Sequence, residues 1–124
     1  MLDIETLVFE RFTARFPDTW VASENAPSVR YPAVIYSISG DGQTGNGPTI
    51  WRFTLEVSVL VTPDLFSLVQ ETYEEVRSWV GKRSASGHIT RVVDESLMSR
   101  AGTTTANDKT INQYTGSFAI IARP

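Results

Sequence analysis

His88 is the single histidine of the chain, and it falls between Ser86 and Asp94. A serine, a histidine and an aspartate are the side chains of a nucleophile, a base and an orienting group. Here Ser86 and His88 stand two residues apart in a turn-rich stretch, and no nucleophile-elbow motif surrounds them. A triad is defined by geometry, so a solvated loop is the expected reading. Metal chemistry fares no better. With no cysteine in the chain, disulfides, thiolate zinc sites and cysteine nucleophiles are excluded. The carboxylate pairs Glu74-Glu75 and Asp94-Glu95 are adjacent in sequence, and no loop gathers several oxygens. Adjacent residues on a helix do not face each other, so Glu71, Glu74 and Glu75 read as a solvated or partner-facing surface. The segment from Gly40 to Pro48 holds four glycines and a proline in nine residues, which invites a phosphate-loop reading. It lacks the Gly-Lys-Ser/Thr signature and opens a strand instead of a helix, so the helix-terminus anion site is missing. Lys82, Arg83 and Arg91 form a small basic set without interleaved aromatics, and helix C-terminal charge accounts for the first two. Trp20, Trp51 and Trp79 read as core or core-edge residues. The expectation is therefore a protein with no catalytic, cofactor-binding or metal-ligating residues, not an enzyme.

Length and composition agree with one domain. A chain of 124 residues buries roughly two-thirds of its unfolded surface, enough for one core. Hydrophobic residues at 41% and charged residues at 20% fit a globular class and not a disordered one. The formal charge of −3 argues against a nucleic-acid binder, which carries a basic excess. The acidic excess lies in residues 1–62, whereas residues 63–124 balance. No apolar run approaches the roughly 20 residues of a membrane span, and the N-terminus lacks the basic region of a signal peptide.

The elements that would position any site follow from periodicity. Ile4, Leu7, Val8, Phe12 and Phe16 recur at helical spacing, which predicts a helix over residues 3 to about 15, with Asp3 as its N-cap and Pro17-Asp18 as its stop. Trp20-Val21-Ala22 predicts a short strand, followed by a surface loop from Ser23 to Arg30. Ala33 to Ser39, entered through Tyr31-Pro32, is rich in β-branched and aromatic residues and predicts a strand. The glycine segment 40–48 then predicts a mobile hairpin tip. From Trp51 to Val61 every odd position is apolar, while Arg52, Thr54, Glu56 and Ser58 are polar, so this strand buries one face and leaves the other open. Thr62 as cap and Pro63 at the first position predict a helix from Pro63 to Val80, with the stripe Leu65, Leu68, Val69, Tyr73, Val76 and Val80 widened by Phe66 and Trp79. Gly81 supplies the stop. A strand is expected near Ile89 to Asp94, a polar loop over 99–109, and a last strand from Thr110 to Arg123 with Asn112, Tyr114, Gly116, Phe118 and Ile120 on one face. The fold class is α+β: an antiparallel or mixed sheet of about four to five strands with two helices packed on one face.

Loops carried on a rigid sheet are where binding function concentrates. Interfaces between non-obligate partners are no more apolar than ordinary surface, so the polar strand face also qualifies. The candidate interface residues are therefore Arg52, Thr54, Glu56 and Ser58 on the strand, Asp41, Gln43 and Asn46 in the first loop, and Arg100, Thr104 and Asn107 in the second.

The order of these elements resembles the tail terminator, or tail completion, proteins of lambda-like tailed phages. The features that carry the resemblance are the helix near Asp3–Arg15, the segment Arg30-Tyr31-Pro32-Ala33-Val34-Ile35-Tyr36, the glycine-rich hairpin, the alternating strand Trp51–Val61, the helix Pro63–Val80 and the final strand pair. The resemblance covers nearly the whole chain and implies regions of contact without fixing residue roles. It implies a six-fold homo-oligomeric ring at the head-proximal end of the tail, seated on the last tail-tube ring. Such a ring stops tube polymerisation and provides the surface that joins tail to head. Its implied partners are further copies of itself, the tail-tube protein and a head–tail connector or neck protein. DNA would cross the lumen without specific binding. No cofactor and no membrane are implied; the location would be the virion, and the host cytoplasm during assembly. Three alternatives stay open: another head–tail connector or neck subunit, a small α+β ligand-binding domain or enzyme with a site of its own, and an interaction module in a cellular complex.

Overall fold

The computed structural model describes residues 4–23, 31–43, 50–84, 87–106 and 108–123. The chain begins with helix α1 (Ile4–Arg15) and strand β1 (Trp20–Ser23), then β2 (Ala33–Gln43) and β3 (Trp51–Val61). A 3-10 turn (Pro63–Leu65) leads into α2 (Ser67–Arg77), followed by β4 (Arg83–Ser84), β5 (Gly87–Ala106) and β6 (Lys109–Arg123). The strands form one six-stranded sheet in the order β1-β2-β3-β6-β5-β4. Only β1 pairs in parallel, with β2, so the sheet is mixed and the fold is α+β. Six strands replace the expected four to five, because β4 adds two residues against His88 and Gly87 at one edge.

The alternation in β3 sets the two faces. Phe53, Leu55, Val57, Val59 and Val61 are buried, and their ladder partners Ile120, Phe118, Gly116, Tyr114 and Asn112 share that face. Val34 and Tyr36 extend it on β2. Both helices cover this side. The α1 stripe Ile4, Leu7, Val8, Phe12 and Phe16 is buried as its spacing predicts, and the Phe12 ring lies 5.1 Å from the fully buried Trp79. Burying a stripe and a one-sided sheet against each other removes both apolar surfaces from water, which is the main favourable term in folding. The expected Asp3 cap lies outside the described residues.

The second helix departs from expectation at both ends. Thr62 makes no capping bond to the backbone. Its hydroxyl instead bonds the Asp64 carboxylate and holds that carboxyl below its ordinary range. Residues 63–65 form the 3-10 turn, so Leu65 and Phe66 leave the stripe and are exposed. At the other end, the Ser78 hydroxyl donates to the Glu75 carbonyl at 2.6 Å and Trp79 N–H donates three residues back to Val76. Both bonds tighten the last turn, which ends α2 at Arg77 and leaves Val80 exposed. Gly81 sits at φ 87, the left-handed conformation in which glycine carries no Cβ penalty, and so acts as the stop. Thr72, a polar member of the buried face, donates to the Leu68 carbonyl at 2.7 Å.

Two predicted loops are strands. Gly40 to Gln43 continue β2, with a bulge between Gly40 and Gly42; the remainder of the predicted tip and the 24–30 loop lie outside the described residues. Residues 99–106 belong to β5, which runs for 20 residues beside β6. Ala106 pairs with Lys109, so two residues connect the strands, one of them Asp108 at φ 62. The Thr103–Thr105 stretch shows no apolar alternation because Thr103, Thr104 and Thr105 are all exposed. The ladder, together with the β-propensity of threonine, holds the strand there.

Candidate functional site

The face of the sheet opposite the helices has no second layer among the described residues. The expected set Arg52, Thr54, Glu56 and Ser58 lies on it together. Arg52 Nη2 is 3.1 Å from Glu95 Oε2, an ion pair that spans β6. Ser58 and Thr115, opposite each other in the ladder, share a hydroxyl hydrogen bond of 3.0 Å, and Gln113 Nε2 donates to Thr115 at 3.5 Å. Among these polar groups stand Ile35, Leu60, Val93 and Ile121, each half-buried. This mixture, fixed by cross-strand bonds, has the composition of a non-obligate protein interface.

The other predicted interface residues separate. Gln43 pairs with Trp51 at one end of the sheet, with Asp41 at the nearby bulge. Thr104 pairs with Ile111 at the opposite end, on the outer face. Arg100 pairs with Tyr114 and so belongs to the helix side, where its guanidinium donates to the Thr103 hydroxyl. Asn46 and Asn107 lie outside the described residues.

The helix side holds a cluster that sequence reasoning did not assemble. Asp94 accepts a hydrogen bond from the Tyr73 hydroxyl at 2.6 Å and another from Arg77 Nη1 at 3.4 Å, while Arg77 Nη1 also donates to the Val92 carbonyl at 2.6 Å. Tyr73 and Arg77 share a side of α2 through their i, i+4 spacing, a signal present in the sequence. Their partner strand was not legible there, because β5 is bulged. The bond to Asp94, with burial second, raises the Tyr73 hydroxyl above its ordinary value. Beside it, Phe66, Val69, Gln70, Tyr73 and Met98 line a groove of about 280 Å3, and Phe66 meets the Tyr114 ring edge-on at 5.3 Å. A larger cleft of about 580 Å3 opens at the sheet end between Tyr31, Pro32, Asp64, Leu65, Lys109 and Ile111.

None of these places assembles acid–base chemistry. His88 and Asp94 face Arg123 and Phe118, five ladder steps or roughly 17 Å apart along the strand. Asp94 is already committed to Tyr73 and Arg77, and Ser86 lies outside the described residues. The resolved titration shifts raise Tyr36 (burial, then Glu5) and Tyr73, and lower Asp64. Each moves its group further from neutrality, the opposite of what a general acid or base working near pH 7 needs. Among the described residues no three His, Cys, Asp or Glu side chains gather to hold a metal, and no helix is long and apolar enough to cross a membrane.

The fold thus defines a two-layer α+β architecture in which, among the described residues, one sheet face has no second layer. No protein-family model matches the chain, and no curated protein does. Among solved structures 23 chains match. One of them, a protein carrying no functional description, superposes with a TM-score of 0.50 at 13% identity, covering 94% of this chain and 89% of that one. At that identity the likeness shows the fold alone.

Proposed function

We propose that this chain is a structural subunit of a ring at the head-proximal end of a siphophage-type tail, a tail terminator that ends tube polymerisation and presents the surface to which the head joins. The observation that carries this reading is the uncovered sheet face, where half-buried Ile35, Leu60, Val93 and Ile121 sit among polar groups already bonded to one another. Such a face suits docking against protein and offers no reaction centre. The element order that resembles the tail-terminator family supports the same reading, since helix, strand, hairpin, helix and final strand pair occur in that sequence. Under it, copies of this chain, the tube protein and a connector or neck protein are the partners. A subunit contact that relates different surfaces closes into a ring when its rotation closes. The net charge of −3 gives passing DNA no overall attraction, consistent with a lumen that lets DNA through.

Negative-stain electron microscopy of the protein alone, and mixed with tail tubes that lack their terminator, tests the proposal. Rings with a central hole, or density capping one end of the tubes, are the expected result. Monomers that ignore tubes refute it, and binding to filled heads instead of tubes reassigns the chain to the neck.

A further inference from the structure

The cleft of about 580 Å3 lies where β3 gives way to the 3-10 turn, and the ring reading makes no use of it. Strand register places its walls. The last β3–β6 pair is Val61 with Asn112, so Ile111 stands one residue past the end of β3, beside the 3-10 turn. Ala33, the first residue of β2, pairs with Leu60, which brings the preceding Tyr31 and Pro32 to the same end of the sheet. Ile111 lines the cleft from a position only 2% exposed. Tyr31 and Leu65 line it with 39% of their surface open to solvent. Leu65 is there because the 3-10 turn takes it off the α2 stripe. A cleft of several hundred Å3, apolar in its walls and carrying a few placed polar groups, is the usual form of a small-molecule site.

Two of the lining side chains are charged, Asp64 and Lys109. Lys109 precedes Ile111 by two residues in β6, so both belong to one side of that strand. Asp64 belongs to the 3-10 turn, and its carboxylate is held in place. The Thr62 hydroxyl bonds it, its own backbone amide does so next, and Lys109 adds a weaker attraction, together keeping the carboxyl below its ordinary range. The cleft thus presents a fixed negative charge and a positive charge within its field, beside an apolar wall.

That pairing restricts what can fill it. A neutral apolar ligand seated here would take water from both charges and give nothing back. A ligand with a single charge would serve one and leave the other without a partner. A short zwitterion serves both, with its apolar body against Leu65, Ile111 and the Tyr31 ring.

We propose that this cleft binds a small zwitterion with an apolar side chain, the chemical class of the free apolar and aromatic α-amino acids, Asp64 taking the ammonium and Lys109 the carboxylate. The proposal goes beyond the ring reading and does not depend on it.

L-Phenylalanine is the probe, titrated into the full chain by isothermal calorimetry, with saturation-transfer difference NMR as the second readout. Two analogues each lack one charge. Phenylalanine amide, protonated below neutral pH, keeps the ammonium alone, and 3-phenylpropanoate keeps the carboxylate alone. Saturable one-to-one binding of phenylalanine with a dissociation constant of about 0.1–1 mM is expected for a small ligand held by few polar contacts. Each analogue should bind about three- to tenfold more weakly. Asp64→Asn should erase the preference for phenylalanine over 3-phenylpropanoate, and Lys109→Gln the preference over the amide. A folding defect would not produce that crossed pattern, in which each variant loses one discrimination and keeps the other. Absence of saturable binding up to about 10 mM phenylalanine overturns the proposal. So does equal affinity for all three compounds, which would show an apolar cleft indifferent to charge. Discrimination that survives in the Asp64→Asn/Lys109→Gln double variant would place the zwitterion elsewhere and overturn the assignment. Failure to form rings or cap tubes sinks the ring reading and leaves this one standing.

Discussion

Gly116→Ala is the sharpest test of the packing between β5 and β6. Gly116 faces the helix side opposite Val57, under the stretch of β5 where the register shifts twice between Asp94 and Ser99. A Cβ built there would lie 2.6 Å from Met98 Sδ, 3.1 Å from Met98 N and 3.1 Å from the Ser96 carbonyl oxygen. The thioether can rotate away, because methionine is unbranched and adaptable. The two backbone atoms can move only with the strand, at the bulge where Ser96 pairs with Ser117. Overpacking of this kind costs about 1–3 kcal/mol. The loss of glycine's freedom in the unfolded chain returns about 0.4–1 kcal/mol. Cost therefore wins, with a net destabilisation of about 1–2 kcal/mol. For a chain of this length that corresponds to a melting temperature lower by roughly 3–10 °C, read by circular dichroism or calorimetry. Combining it with Met98→Ala relieves the sulfur contact alone, so the double variant should be less destabilised than the sum of the singles. An unchanged or raised melting temperature for Gly116→Ala would refute the close approach. Additivity within about 0.3–0.5 kcal/mol would show that the sulfur contact does not matter.

Leu55→Ala should cost about 2–5 kcal/mol in chemical denaturation, since Leu55 is fully buried between Ile38 and Phe118; a loss under about 0.5 kcal/mol would mean the inward face is misassigned. Asp108→Val should cost about 1–2 kcal/mol, because a β-branched residue is forced into φ 62, whereas Asp108→Gly should not destabilise; equal melting temperatures would contradict that turn. Asp94→Asn should return the Tyr73 hydroxyl toward the ordinary tyrosine value, followed by ultraviolet absorbance of the phenolate on raising pH. Because Tyr73 is raised in the folded state, its stabilising contribution is fully present below the ordinary value near 10 and is lost as pH rises through the higher folded value, so the wild type should lose alkaline stability that the variant never had.

Much of the fold was legible because burial writes itself into spacing. The odd positions of Trp51–Val61 and the stripe from Ile4 to Phe16 each face one core, and the structure places them there. The ends of α2 were not legible, because Thr62 serves Asp64 and Ser78 serves Glu75, choices between local partners that periodicity does not encode. The 99–106 strand was missed for a different reason. Its threonines face solvent on both sides, so no alternation marks it, although the Asn107-Asp108 pair between two threonine-rich runs was an available hairpin signal. The outer-face set Arg52, Thr54, Glu56 and Ser58 followed directly from alternation. The Tyr73–Arg77–Asp94 cluster needed the register of a bulged strand that no pattern gives.

That bulged strand has a bearing on how the chain can change length. From His88 to Ala106, 19 residues of β5 stand against the 15 from Lys109 to Arg123, so four residues are surplus, one at each register shift. Surplus of this sort acts as slack. Deleting a single residue at one of those shifts, Thr90 for instance, would straighten the ladder locally while the pairs at the ribbon tip, Thr104 with Ile111 and Ala106 with Lys109, stay in step. A deletion beyond Gly102, where no slack remains, would slip the tip by one residue and turn every side chain past that point to the other face. Single-residue losses are therefore expected to be absorbed at the four register shifts of β5 and not beyond Gly102.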